Sequence, residues 1–368
     1  MVNRESTRQF WLEAKSFWGE AFAWQGAATP RVLPPVAVFG VIAAIVYGAS
    51  RIGPYIGIPV GAHEIAGAIL GLILVVRTNA GYDRWWEGRQ LWGGIVNQSR
   101  NLAMIVLVYG PNDSEWRREI IRWTIAFAHV ARRSLRGERE MPEVVALLGR
   151  EQAARVAGAV NMPNAVARRI GGLLREARAR DGLDDSGFQG AEHQRLTLIE
   201  SVGDCERILN TPLPRVYSIE IRRSIAFFLV TLTFALISKD LGWVTVLLAV
   251  LVAYAILSID LIGSALQNPF AIHNLGALPL DDICRTIEID LLGLLAEEGR
   301  LAEEEEANHD LVPERLGDPE RSTPITFASP FRREDEAECG PESTQSARCE
   351  WFPLSPDADR EHNLFFGR

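Results

Sequence analysis

The apolar positions of this chain gather into two pairs of stretches that flank a long, Arg-rich middle. The first pair is 33–50 and 52–76; the second is 224–238 and 241–259, split by Lys239-Asp240. Stretches 33–50 and 241–259 hold no charged residue, and each is long enough to cross roughly 30 Å of hydrocarbon as a helix. A soluble protein spreads its apolar residues as stripes on many amphipathic helices instead. The chain is therefore expected to span a membrane four times. Gly53-Pro54 marks a loop or broken helix at the start of the second stretch, 61–76 is the second span, and Arg77 ends it. The third stretch is short; it spans if a helix over 216–223 continues into it or the bilayer thins.

The middle reads as helices. One covers 82–109 and closes at Gly110-Pro111. Asn112 with Glu115 forms a capping pair for the next, 113–136. That helix turns Ile120, Ile121, Thr124, Ile125, Phe127 and Ala128 inward and shows Arg117, Arg118, Arg122, Arg132 and Arg133 elsewhere. Further helical patterns cover 142–148, 163–180, 189–209 and 281–304, with a turn-rich segment at 269–280 and no strand pattern. The fold class is an all-α membrane protein with a large cytosolic helical domain. Its organisation is an N-terminal amphipathic segment (1–32), spans 1 and 2 (33–76), the cytosolic helices (77–222), spans 3 and 4 (223–267), a C-terminal helical segment (268–304) and an extended or disordered tail (305–368). In the first segment Phe10, Trp11, Phe17, Trp18, Phe22 and Trp24 recur near helical spacing over 5–25, which suits a membrane interface. Arg and Lys crowd one side of the spans, at Arg31, Arg77, Arg84, Arg89, Arg215, Arg222 and Arg223 among others, against Arg51 and Lys239 on the other. Both termini are thus expected in the cytoplasm, with the protein in the cell (inner) membrane.

Charge and composition narrow the function classes. The net charge of −9 comes partly from the Glu-rich run 297–306, and with no basic excess nucleic acid is not an expected partner. The first 30 residues lack the compact apolar core and small-residue cleavage site of a secretory signal. The four cysteines, Cys205, Cys284, Cys339 and Cys349, are scattered without metal-ligand spacing and read as ordinary thiols. No Gly-rich phosphate loop, paired His/Glu metal spacing or nucleophile setting is present, so neither an enzyme nor a cofactor is expected. An ion-coupled transporter would want internal repeats and several intramembrane charges. Glu64 and Asp260 are thin support for one.

Three ordered motifs point further. The run RTNAGYDRWWEGR at 77–89, followed by Leu91-Trp92 and Ser99-Arg100-Asn101, resembles the signature after the second span of bestrophins, bacterial ones especially. DCERILNTPLPRVY at 204–217 resembles the approach to their third span. Asn268-Pro269-Phe270 with LPLDDICRTIE at 278–288 resembles the stretch after their fourth. The resemblance covers about residues 5–300 and implies a homopentameric ion channel, passive for small monovalent ions. Five second spans would line an apolar neck, above a cytosolic vestibule that ends in a second constriction. Animal members conduct chloride and open with calcium; some bacterial members prefer monovalent cations.

By that resemblance the neck falls on Ala68, Leu72 and Val76, and four-residue steps along a helix support a shared face. Such an apolar ring gates by dewetting. Read from the residues alone, these positions could equally face lipid or other helices, and Ala68 is small for a constriction. One turn further out lies Glu64, which would form a cation-favouring ring of five at the external mouth. Alternatively it pairs with His63, Lys239 or a lipid headgroup. Arg77, Arg84, Trp85 and Trp86 mark the inner boundary of the pore helix, where Arg snorkels and Trp anchors. Arg77 could also add positive field below the neck. Asp260 is expected to pair with an Arg of the 77–100 helix. The cytosolic aperture falls just before helix 189–209, with Phe188 as its bulky apolar candidate. The segment 271–277 carries no carboxylate, so no calcium clasp is expected there. Gly263, Ser264 and Ala265 stand near where bacterial relatives often carry paired Glu.

Overall fold

The computed structural model describes Gly19 and residues 22–310 except 25, 54–56 and 273, with residues 302–310 described as helical backbone alone. The aromatic pattern over 5–25 falls almost wholly outside the described residues, as do Pro54, the tail beyond 310, Cys339 and Cys349. Among the described residues the elements are ten helices and no strand: α1 (Thr29–Ile52), α2 (Val60–Tyr109), α3 (Ser114–Leu135), α4 (Pro142–Leu148), α5 (Arg150–Ala157), α6 (Met162–Ala179), α7 (Asp185–Asn210), α8 (Arg215–Ile237), α9 (Val244–Ala265) and α10 (Leu280–Asp310).

The largest departure from expectation is α2. It is one uninterrupted helix of 50 residues, about 75 Å long at 1.5 Å per residue. The helix does not break at Arg77, and the boundary drawn between span 2 and the cytosolic helices falls inside it. Polarity changes at Arg77, but nothing there breaks backbone hydrogen bonding, and the next Pro is Pro111. Similarly, α1 begins at Thr29 and runs through Pro34 and Pro35. The short third stretch is the C-terminal part of α8, which does extend back through 216–223. Lys239-Asp240 forms the turn to α9, with Asp240 and Gly242 at positive φ.

Three of these helices, α1, α2 and α9, are long and apolar enough to cross a membrane by length and composition. Their apolar windows stay mostly uncovered in the single chain. That suits a helix whose other neighbours are lipid or further copies. A small apolar cluster joins them: Leu70 and Leu74 of α2, Ile221, Ile225 and Leu229 of α8, and Ala253 of α9. A much larger core forms where the second half of α2 (Trp92, Ile95, Leu102, Val106) meets α3, α6, α7 and α10. Its centre is α3, buried almost all round. Here two expectations are corrected. Asp113, not Asn112, caps α3, its carboxylate accepting from the Glu115 and Trp116 amides. Arg132 is not displayed but buried, 3% exposed.

Candidate pore face and its supporting ion pairs

Residues Ala68, Leu72 and Val76 all lie on the uncovered side of α2, Leu72 being 66% and Val76 54% exposed in the single chain. Opposite them, Leu70 and Leu74 pack against α8 and α9. The helix thus has a buried rail and a free face, and the three neck candidates share the free one. Glu64 is also exposed. At about 100° per residue it sits roughly 80° round from Leu72 and 120° from Val76, so four-residue steps carry it toward the flank.

Beyond Val76 the free face continues by alternating three- and four-residue steps: Asn79, Asp83, Trp86, Gln90, Asn97 and Asn101, all exposed. These positions stay within about 40° of Leu72. The expected site did not include Asn79, Asp83, Gln90, Asn97 or Asn101. The signal was in the sequence, as a heptad register counted from Leu72 and Val76.

The boundary residues separate into different roles. Arg77 is not an interfacial anchor; it is 1% exposed, with Nη1 2.8 Å from Asp260 Oδ1 and Nη2 donating to Ser264 Oγ at 2.7 Å. Asp260 thus meets an Arg of this helix, as expected, and also Arg222 Nε of α8 at 3.3 Å. The three-way pairing ties α2, α8 and α9 together, with Ser264 as the shared acceptor. Close approach of α2 to α9 makes it possible: a Cβ on Gly81 would lie 2.7 Å from the Gly263 carbonyl oxygen. Arg84 donates to the carbonyls of Gln267 (3.1 Å), Thr211 (2.8 Å) and Ile208. It thereby satisfies the C-terminal ends of α9 and α7, where helix dipoles favour a cation. Trp85 packs on the larger core, whereas Trp86 stays exposed on the free face. Tyr82 stacks against both. Phe188 lies in the first turn of α7, half-buried against the core, with the Arg178 guanidinium 4.8 Å over its ring.

Two further features hold the larger helical core. After α9, Asn274 Nδ2 donates to the Ala265 and Asn268 carbonyls, and the Leu278 amide to that of Pro269. This knits a turn that drives Phe270 into the core beside Gly88. The second is a charge cluster joining α3, α4 and α10: Arg132 reaches Glu143 (2.6 Å) and Asp281 (2.7 Å), and Arg133 shares Glu143 (2.6 Å). Burial pushes the Glu143 carboxyl up, but a backbone hydrogen bond and the Arg133 and Arg132 guanidiniums outweigh it and hold it at about 2. Next to it, burial and then Arg132 lower the His129 pKa, against the pull of Glu288 at 3.2 Å. Burial raises the thiols of Cys205 and Cys284 to about 12, so both are inert.

With this geometry in view, the comparisons are decisive. Residues 10–293 match the family model described as Bacterial/Fungal Bestrophin protein. The chain belongs to the bestrophin family. A relative from Nostoc sp. (strain PCC 7120), named voltage-dependent anion channel-forming protein alr2987, is 33% identical over 283 residues, covering 75% of this chain and 91% of that protein. Voltage-dependent anion channel-forming protein YneE of Escherichia coli K12 is 34% identical over 252 residues, covering 68% and 80%. The crystal structure of a bacterial bestrophin homolog from Klebsiella pneumoniae superimposes with a TM-score of 0.65 at 27% identity, over 72% of this chain and 97% of that one.

Proposed function

We propose that this bestrophin is the subunit of a homopentameric membrane channel that passively conducts small monovalent ions, anions such as chloride first. Five α2 helices line the axis and close it at a neck of Ala68, Leu72 and Val76. The observation that carries this reading is the free face of α2: large aliphatic side chains stay exposed on a helix whose opposite rail is packed. An apolar ring of that kind passes ions when wetted and blocks them when dry, with no charged plug. The names of the relatives support anions. Each subunit spans four times, α8 completing the set; beyond Arg222 and Arg223 at the inner boundary it reaches about 21 Å to Ile237, a span that needs a locally thinned bilayer. Both termini lie in the cytoplasm of a cell with this protein in its inner membrane. Phe188 remains the candidate for the cytosolic aperture.

A second reading, a monovalent-cation (Na+) preference in the same architecture, is favoured by the exposed carboxylate of Glu64 at the outer end of the helix. Mass measurement of the purified protein in detergent, followed by reversal potentials in asymmetric NaCl across a planar bilayer, tests both. A monomer or dimer, or a membrane that stays silent, removes the channel reading; the sign of the reversal potential decides between the ions.

A further inference from the structure

We infer that Asp83 is a charge-selective element of the passage, a ring of one carboxylate per subunit about 10 Å on the cytosolic side of Val76. The inference rests on the pentameric channel reading above and favours its cation-preferring form. Three observations carry it. First, Asp83 follows Val76 by seven residues, and a heptad step returns to within about 20° of the same line on a helix. It is therefore closer to the Leu72 direction than Glu64 is. Second, Asp83 is exposed and, among the described residues, has no hydrogen-bond or ion-pair partner within the chain. Its acidic neighbours are engaged: Glu87 by Arg207 and Asp260 by Arg77. Third, the cations of this stretch do not offset it. Arg77 is buried on Asp260, Arg84 turns about 100° away from Asp83 toward helix-end carbonyls, and Arg89 points about 120° away round the helix. Along this face from Gly61 to Tyr109, Asp83 is the one charge within about 40° of Leu72; Glu87, about 60° round, is held by Arg207.

The remaining polar groups of the stripe, Asn79, Gln90, Asn97 and Asn101, are neutral amides. They can solvate either ion sign, so the field at the inner end of the neck is set by Asp83. It enriches small cations there and depletes anions, most strongly when few mobile ions screen it. The neck itself, being apolar, does not discriminate by sign.

The test uses the full-length protein reconstituted in neutral-lipid bilayers under asymmetric NaCl. Wild type, Asp83→Asn, Asp83→Glu and Asp83→Lys are compared at low and high salt. Asp83→Asn is expected to lower the sodium-to-chloride permeability ratio by about three- to tenfold at low salt, and by less at high salt. Asp83→Lys should move it further in the same direction, and Asp83→Glu should stay near wild type. Should Asp83→Asn fail to assemble by mass measurement, Asp83→Ser supplies the same neutralisation. A pentameric, conducting wild type whose reversal potential is unmoved by neutralisation at either salt overturns the Asp83 assignment and leaves the channel reading standing. A wild type that neither assembles nor conducts removes both.

Discussion

Converting Asp260 to Asn isolates the buried Arg77–Asp260 ion pair with almost no change of shape. In the folded chain Arg77 is 1% exposed and Asp260 8%. The substitution leaves a buried guanidinium with the Ser264 hydroxyl at 2.7 Å and an amide oxygen in place of the carboxylate. Stranding one member of a buried pair costs about 3–5 kcal/mol. The amide oxygen still accepts a hydrogen bond, which puts Asp260→Asn near the lower end, at roughly 3 kcal/mol. Arg222 contacts the same carboxylate at 3.3 Å, but its side chain is 60% exposed. Arg222→Gln should therefore cost only about 0.2–1 kcal/mol. At roughly 2–4 °C per kcal/mol, Asp260→Asn should lower the melting temperature by about 6–12 °C and Arg222→Gln by no more than about 4 °C. The assay is thermal unfolding of detergent-solubilised protein followed by size-exclusion. A double variant, Arg77→Met with Asp260→Leu, should recover most of the loss, because paired charges replaced by apolar side chains leave nothing stranded. If Asp260→Asn melts no lower than Arg222→Gln, or the double variant falls further than either single one, Arg77 is not held as the geometry indicates.

Other expectations are as direct. Leu72→Ala and Val76→Ala should each raise single-channel conductance or open probability by widening the neck and easing its wetting; recordings of both that match wild type place the neck elsewhere. Gly81→Ala should destabilise by about 1–3 kcal/mol in the same melting assay, since its Cβ would meet the Gly263 carbonyl oxygen at 2.7 Å; an unchanged melt would mean that α2 and α9 separate freely there. Acid should weaken the cytosolic cluster. Glu143, held at about 2, contributes stability above its ordinary value near 4.5 that is lost as pH falls toward 2. His129, lowered from 6.5, acts in the same sense from below about pH 6.5. Glu143→Gln should flatten the acid limb of a melting-temperature profile, and a profile as steep as wild type would assign the acid sensitivity to other groups. Glu64→Gln should shift reversal less than Asp83→Asn, because its position lies toward the flank of the helix; the opposite ranking in paired recordings would mean that the outer half of α2 is rotated or bent.

What the sequence revealed, and what it hid, follows the range of the interactions. Apolar stretches and the Pro and Gly punctuation at Gly110-Pro111 are local, and the helices built on them fall where expected. Arg77 looked like an end because polarity changes there. The helix continues because nothing there breaks its backbone hydrogen bonding; what lies beyond any local pattern is the burial of Arg77 on Asp260, far along the chain. Arg132 likewise looked like surface until Glu143 and Asp281 were brought to it by α4 and α10. The Asp113 cap was missed by one residue because Asn112 is an equally good capping type. Of the proposed pore face, Ala68, Leu72 and Val76 came from the family resemblance, while the register of the polar continuation could be counted from the sequence. Four-residue steps drift by about 40° each, and only mixing in three-residue steps keeps a straight helix on one line.

That continuation helps to separate a lipid face from a water face, which exposure alone does not. A lipid-facing stripe stays apolar across roughly 30 Å of hydrocarbon. The apolar part of this face runs from Ile65 to Val76, about 18 Å along the helix axis, with Gly61 beyond one end, Glu64 on its flank, and Asn79 and Asp83 at the other end. Below it the stripe keeps polar side chains at Gln90, Asn97 and Asn101, while the rail at Trp92, Ile95, Leu102 and Val106 is buried in the cytosolic core. Amides and a carboxylate that start within one turn of the aliphatic collar need water beside them. A collar shorter than the bilayer, open to polar groups at its inner end and flanked by Glu64 at its outer one, fits a narrow dry constriction within an aqueous path. It does not fit an outer wall bathed in acyl chains. The same length argument explains why one helix of 50 residues serves both parts: a continuous rod carries the neck and the polar wall below it in fixed register. A change in packing at Arg77 or Gly81 then moves both together.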